Sequence, residues 1–312
     1  MKRRKLFVNF DKAGAEWVVV AYLSGDARMI DVIESGKSPH TVTGSLISGA
    51  PEELVLLEHE LIKEANDPYA IEELRATIPE LADPAFFLPR SMSIRQAGKK
   101  SNHALNYDEG YRVFALYNEM EEGDAKKIVD FYKTRAYPGV PVYHEAIRRE
   151  LKNEHRTLVN CFGRKVVLRG AWDYKLWKAA YSFKPQSTVV DMVNKAMELW
   201  YDSPERYMEY LELLAQVHDS LLGQYTLSGK PSQFVDMARA CMDIDRFISP
   251  RCTYSGRDFV IKTDLKLGLD WQNMYSVKYH KDPKVLAERL EQVYDGLPWG
   301  SAIAPIERIL QA

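Results

Sequence analysis

Four side chains recur at four-residue intervals along one stretch of the chain: Arg95, Lys99, His103 and Tyr107. On a helix this interval returns to one face and each step climbs about 6 Å, giving a stripe of roughly 18 Å with two cations, an imidazole and a phenol. Such a stripe suits a triphosphate at one end and a base or sugar at the other, because guanidinium and ammonium groups make charge-assisted hydrogen bonds to phosphate oxygens. A solvated basic helix face has the same spacing. Two acids form a second set, for Asp11 and Asp219 each stand at the end or turn of an apolar, strand-like run. Carboxylates from separate strands that meet can hold two divalent ions about 3.5 to 4 Å apart, and hard oxygen ligands favour magnesium or manganese. A solvated acid capping a turn fits the same pattern.

The elements that must carry these residues are visible in outline. KLFVNF reads as a strand, and WVVVAYL as a strand or a buried helix. From Pro51 to Leu74 the apolar residues fall at helical spacing, and Pro79, Pro84 and Pro89 then break the chain into a loop. The spacing predicts a helix from about Ser93 to Tyr107, and helices over 110–135 and 142–155 separated by a turn at YPGVP. TLVNCFGRKVVL reads as a hairpin around Gly163, and TVVDMVNKAMELWY as an amphipathic helix. Another helical stretch is expected after Pro204, then a strand, turn and strand over LLAQVHDSLLGQY, a late strand in FVIKTDLKLGLDW, and a last helix in the tail. Antiparallel hairpins among many helices point to the α+β class.

Composition sets the frame. The 312 residues can bury a large core, and 46% hydrophobic with 28% charged residues excludes a disordered or fibrous chain. No apolar run reaches the roughly 18 to 20 residues of a membrane span, and MKRRKLFV does not continue as a signal peptide. Three cysteines without CxxC spacing favour neither a disulfide framework nor a zinc site, which fits a reducing cytoplasm. A net charge of −2 offers no global argument for a nucleic-acid partner, so charge is read locally. Basic residues cluster at Lys2 to Lys5 and at Arg95, Lys99 and Lys100, whereas acids dominate the stretch from Pro51 to Leu74 and NEMEEGD.

In their order along the chain, these pieces resemble the polymerase region of the family-A, DNA polymerase I-like DNA polymerases, in a phage-like form. NFDKAGAEWVVVAYLSGD is similar to their first palm motif, an Asp followed five residues later by a Glu. RQAGKKSNHALNYDEG resembles their nucleotide-binding helix in the fingers, and AQVHDSLLGQY their last palm motif. ESGKSPH matches a Gly-Lys-x-x-His element, while FGR and PQSTVVDMVNKA look like the later hairpin and the helix with a template-contacting Gln. The resemblance covers about residues 5 to 275. It implies a right-hand palm with an antiparallel sheet, over 1–45 and 156–277, mostly helical fingers over 46–155 with an insertion at about 50–90, and a tail from 278 to 312.

The resemblance also implies roles. Asp11 and Asp219 would be the catalytic metal ligands for two Mg2+ or Mn2+ ions, with a backbone carbonyl from the Lys12 region. Glu16 would be the steric gate against a ribose 2′-hydroxyl. Arg95, Lys99 and His40 would hold the triphosphate, His103 would stand by the sugar, and Tyr107 would lie beside the templating base. Lys178, Ser182, Gln186 and His218 would contact DNA. Several positions depart from the family pattern: His103 replaces an aromatic Phe or Tyr, Asp108 stands where many members have Gly, Ala13 and Gly14 replace polar residues, and Ser220 replaces a Glu.

The activity so implied is template-directed DNA synthesis, in which the primer 3′-oxygen attacks the α-phosphate of a deoxynucleoside triphosphate in line. Primer-template DNA and dNTPs would be the partners, gripped through backbone and groove shape. Ten residues precede the first motif's Asp, where family members carry a thumb and usually a 3′–5′ exonuclease. The expectation is a split phage polymerase, with a separate polypeptide supplying both, working in the host cytoplasm and not at a membrane. Three alternatives stand beside it. A non-catalytic remnant would bind DNA or a replisome partner. A single-subunit RNA polymerase relative would share His218, Asp219 and Ser220, but Glu16 and His40 oppose it. A two-metal nuclease would leave the fingers stripe unexplained.

Overall fold

A computed structural model of the chain describes residues 4–65, 67, 70–82 and 86–298. Lys2 and Arg3 of the basic cluster, Pro84 of the proline-broken loop and the last part of the tail lie outside the described residues. The order of elements is β1 (Lys5–Lys12), α1 (Ala15–Ser24), α2 (Ala27–Glu34), α3 (Pro39–Ser48), α4 (Glu52–Ala65), α5 (Ile71–Thr77), α6 (Ile94–Leu105), α7 (Tyr111–Tyr117) and α8 (Glu122–Phe131). A π-helical turn (Tyr132–Ala136) leads into α9 (Gly139–Asn153), the hairpin β2 (Thr157–Val159) and β3 (Lys165–Val167), and the long helix α10 (Tyr174–Tyr201). Then come β4 (Leu211–Val217), β5 (Ser220–Thr226), α11 (Gln233–Ile248), the small hairpin β6 (Cys252–Tyr254) and β7 (Arg257–Phe259), β8 (Thr263–Gly268), β9 (Met274–Val277) and α12 (Pro283–Asp295). The α+β class expected from the sequence is the one observed.

The chain divides into two compact units. The first comprises the described residues up to Ala15, Val189–Cys252 and those from Asp258 onward; the second comprises Glu16–Thr188 and Thr253–Arg257. Helix α10 gives its first part to the second unit and its remainder to the first.

The first unit is built on an antiparallel sheet of order β4-β5-β1-β8-β9. Strict alternation along β1 sends Leu6, Val8 and Phe10 to the core and leaves Phe7, Asn9 and Asp11 on the partly open face. Trp200, from the far end of α10, meets Phe10 edge-on at 5.9 Å and donates its indole N–H to the Leu211 carbonyl at 3.1 Å. It can lie there because Gly223 has no side chain: a Cβ at that position would come within 2.7 Å of the Trp200 ring. The same core takes in Met237, Ala238, Cys241 and Ile244 of α11 and Leu286, Ala287 and Leu290 of α12, so this part of the tail packs into the unit.

The second unit is almost wholly helical. WVVVAYL is part of α1, since Trp17 to Tyr22 are all buried. A run apolar on every side has no periodicity by which strand and helix can be told apart. The expected turn at YPGVP is present but confined to Tyr137 and Pro138, and α9 starts at Gly139: Pro138 is its N-cap, and Pro141 falls in the first turn, where a missing N–H costs nothing. Helix α10 begins well before the expected amphipathic segment and runs through Pro185. A proline there cannot donate to the carbonyl four residues earlier, that of Tyr181, and the Tyr143 hydroxyl donates to that oxygen instead, at 2.6 Å.

Elsewhere the helical stretch expected after Pro204 is only a 3-10 turn over Arg206–Tyr210, leading directly into β4. The sequence reading also omits α11, β6, β7 and β9, although Phe234, Met237, Cys241, Ile244 and Ile248 recur in α11 at helical spacing. Among the described residues no helix is long and apolar enough to cross a membrane.

Candidate functional site

In the first unit the two expected metal ligands are brought to one end of the sheet. Asp11, next to last in β1, lies opposite Ser220, and the Lys12 N–H donates to the Asp219 carbonyl at 3.3 Å. Asp219 occupies the two-residue turn of the β4–β5 hairpin beside His218, which is exposed and has a φ of 54°. Across the other edge of β1, Asp11 is in register with Asp264, an exposed acid the sequence reading did not single out. Like charges directly opposite on neighbouring strands repel. Carboxylate oxygens are hard donors. Among the described residues no group of three or more His, Cys, Asp or Glu side chains is positioned to hold a metal. Two carboxylates still suit magnesium, which is commonly held by one or two acids and completed by substrate phosphates and water.

Lys12, next along, faces the other way. Its buried ammonium donates to Ser249 Oγ and the Ile261 carbonyl, both at 2.6 Å, and to Thr263 Oγ1 at 2.9 Å. Burial lowers its pKa to about 7, against the opposing pull of Asp245 and Asp219. Three acceptors tie the end of β1 to the segments that precede and open β8.

The stripe lies on α6 in the second unit. Ser93 caps that helix, accepting from the Gln96 N–H at 3.1 Å, and the helix proper ends at Leu105, so Tyr107 stands just beyond its last turn. Lys99 and His103 are exposed, Arg95 is half-buried and Tyr107 is buried. A cavity of about 510 Å³ opens beside this face, lined by Lys99, Lys100, His103, Phe114 and Tyr117 among others. That volume is within the roughly 300–1,000 Å³ of small-ligand sites.

His40 joins this face from α3. The two helices approach so closely that a Cβ on Gly98 would lie 2.2 Å from the His40 carbonyl and 2.5 Å from the Gly44 nitrogen, and one on Gly44 would lie 2.7 Å from the Ile94 carbonyl. Glycine at both positions is what allows the crossing. The His40 and His103 rings then sit 6.1 Å apart. Burial, and secondarily the charge of Arg95, lowers the His40 pKa to about 3, so the ring is neutral near pH 7. Asn102 fixes its tautomer. The Asn102 Oδ1 accepts from Trp17 Nε1, Thr43 Oγ1 and the Tyr132 hydroxyl, each at 3.0 Å, which leaves the amide nitrogen to donate to His40 Nδ1 at 3.2 Å. The proton is therefore on Nε2, and His40 offers an N–H donor.

Glu16 and Tyr107, which lie 91 positions apart, are in direct contact: the Tyr107 hydroxyl donates to the Glu16 carboxylate. Burial, reinforced by Glu16, raises the phenol pKa, so it remains a donor. Asp108, where many members of the resembled family have Gly, has a φ of 63°. Asp tolerates this left-handed region better than most residues, and here its carboxylate pairs with Lys133 at 2.5 Å and Arg148 at 3.4 Å. Of the expected DNA contacts, Lys178 is ion-paired with Glu109, Ser182 bonds back to the Ala179 carbonyl within α10, and Gln186 is exposed one residue after Pro185.

Sequence reasoning missed the residues that hold α6. Glu58 of α4, fully buried, accepts from the Ile94 N–H at 2.7 Å and from Arg75 Nε at 2.7 Å. Arg75 also donates to the carbonyls of Pro89 and Met92. The segment at 50–90 thus secures the first turn of the stripe helix. Its only sequence signal was an acid at a core-facing position of α4.

No protein-family profile and no curated protein matches the chain. Among solved structures it is similar to the POL domain of Pol1 from M. smegmatis, determined in complex with DNA primer-template and dNTP, with a TM-score of 0.60 and 17% identity. The shared fold is that of a polymerase domain. The likeness extends over 86% of this chain, which spans 40% of the length of that structure.

Proposed function

We propose that this chain carries out template-directed DNA synthesis, as a polymerase of the DNA polymerase I type. The observation that carries the reading is the contact between Tyr107 and Glu16, which joins the expected steric gate to the residue expected beside the templating base. In this reading Asp11 and Asp219 hold magnesium, with manganese as the substitute. When bound, the metal ions supply charge stabilisation for the attacking and leaving oxygens of an in-line phosphoryl transfer. Arg95 and Lys99 bind the triphosphate by charge-assisted hydrogen bonds, and neutral His40 donates from Nε2 to a phosphate oxygen. Glu16, held by Tyr107, fills the space of a 2′-hydroxyl, while exposed His103 borders the sugar. Lys178, Ser182, Gln186 and His218 contact the primer-template.

The palm in this reading comprises 1–45 and 156–277, the fingers 46–155, and the tail 278–312. The test is incorporation of one templated nucleotide on a primer-template in magnesium. The wild-type chain adds the complementary dNTP, and Asp219→Ala lowers the rate by about 10^2–10^3-fold or more, the scale of losing one preorganised electrostatic contact to a transition state. A wild-type chain that binds primer-template but incorporates nothing, with or without thumb-bearing polypeptide added, overturns the reading in favour of a non-catalytic remnant.

A further inference from the structure

Helix α4 presents two successive residues to the start of α6, and only the first is accounted for by anchoring. Glu58 bonds the backbone of Ile94. The next residue, His59, is half-buried and reaches side chains: its Nδ1 lies 3.4 Å from Ser93 Oγ and its Nε2 lies 3.4 Å from Arg95 NH1. The roles of the two ring nitrogens follow from their partners. A guanidinium can only donate, so Nε2 is the acceptor; a neutral imidazole with a bare Nε2 carries its proton on Nδ1. That proton points to Ser93 Oγ, which already accepts from the Gln96 N–H at 3.1 Å and has a second lone pair to offer. Burial and the charge of Arg95 lower the His59 pKa, in keeping with a neutral ring. Arg95 is therefore linked through one imidazole to the N-cap of its own helix.

We propose that His59 is a positioning residue for nucleotide binding: it orients the Arg95 guanidinium toward the triphosphate, so the segment at 50–90 takes part in substrate selection as well as in packing. The inference rests on the reading of Arg95 as a triphosphate ligand. A free guanidinium on a flexible side chain must be ordered when the anion arrives, and a partner that holds it beforehand reduces that cost. Both contacts, at 3.4 Å, are long for hydrogen bonds.

The test uses the full chain at saturating primer-template with a chain-terminated primer, so that the complementary dNTP binds in magnesium without reacting. Four proteins are compared with wild type: His59→Phe, which keeps a ring but no nitrogen; His59→Gln, whose amide oxygen can accept from Arg95; Arg95→Ala; and the double variant His59→Phe/Arg95→Ala. His59→Phe is expected to weaken dNTP binding by about tenfold, the scale of one hydrogen bond to a charged group. Primer-template affinity and the unfolding midpoint stay at wild-type values. His59→Gln recovers most of the loss, and His59→Phe adds nothing once Arg95 is gone.

Wild-type binding in His59→Phe, alongside weakened binding in Arg95→Ala, overturns the inference and leaves the Arg95 reading standing. An undiminished effect of His59→Phe in the Arg95→Ala background overturns it too, because His59 then acts elsewhere. Unchanged binding in Arg95→Ala defeats the nucleotide reading first and this inference with it. Should His59→Phe fail to fold, the imidazole 15N shifts of the wild-type protein decide: a protonated Nδ1 with a bare Nε2 supports the relay, and the opposite tautomer overturns it.

Discussion

The acid-bearing end of the sheet and the cationic face of α6 reach their positions by different physical means. Asp11 and Asp219 are placed by backbone register, each near a strand end whose neighbours are fixed by ladder hydrogen bonds. The side-chain bonds nearby, from Lys12, face the opposite side of the strand. Arg95, Lys99, His103 and His40 depend instead on buried polar side chains and on two helices touching through glycines. The backbone ladder at the sheet end does not depend on those two side chains. The helical face is bound up with its buried supports, so substitutions at Glu58, Arg75, Gly98 or Asn102 reach stability and binding together.

The sharpest way to break this contrast is to remove one supporting charge and one functional charge. Arg75→Ala leaves Glu58 buried without its partner, and the expected cost is about 3–5 kcal/mol. Asp219→Ala removes one charge that favours the Lys12 ammonium but leaves the ladder intact, and should cost less, about 1 kcal/mol. Urea titrations of both variants decide; equal losses would mean that the acids are structural as well.

Next in size is Gly98→Ala. The added methyl must displace backbone at 2.2 Å, and the expected loss is about 1–3 kcal/mol of stability, together with weaker dNTP binding and unchanged primer-template affinity. Wild-type dNTP affinity in that variant would show that the α3–α6 crossing does not set the site.

The third expected effect concerns pH and is smallest near neutrality. His40 stays neutral in the folded protein until about pH 3, whereas the ring ordinarily takes a proton near 6.5. Below that value the unfolded chain binds one proton more than the folded one at this site, so stability is fully present above about pH 6.5 and is lost as pH falls toward the folded pKa. His40→Gln removes this contribution. Between about pH 4 and 5.5 wild type should therefore lose up to about 1.4 kcal/mol per pH unit more than the variant. Parallel stability curves would mean that the ring is solvated.

How much of this was legible in the sequence follows the same division. The α+β class, β1, α6 and the β4–β5 hairpin were readable because alternation and four-residue spacing are local properties. The separate roles expected of Tyr107 and Glu16 came from recognisable motifs, their direct contact was not foreseen, and spacing alone left the stripe open to a solvated face. Gly98, Asn102 and Glu58 were not legible, because each matters through a partner distant in the chain: a second helix, a histidine, and the N–H of Ile94. Asp264 was hidden for a related reason, since its meaning depends on the β1–β8 register. The helix at WVVVAYL could not be told from a strand while its surroundings were unknown, because burial on all sides erases the period.

Pro185 and Tyr143 illustrate a dependency of another kind. The proline frees the Tyr181 carbonyl, and the hydroxyl 38 positions before that residue takes it up. In evolutionary terms the two positions are tied: losing the hydroxyl strands a buried oxygen unless position 185 regains an N–H, and regaining that N–H makes the hydroxyl dispensable. Covariation between 143 and 185 in relatives of this chain would then record a hydrogen bond passing from side chain to backbone, with no change in the path of α10.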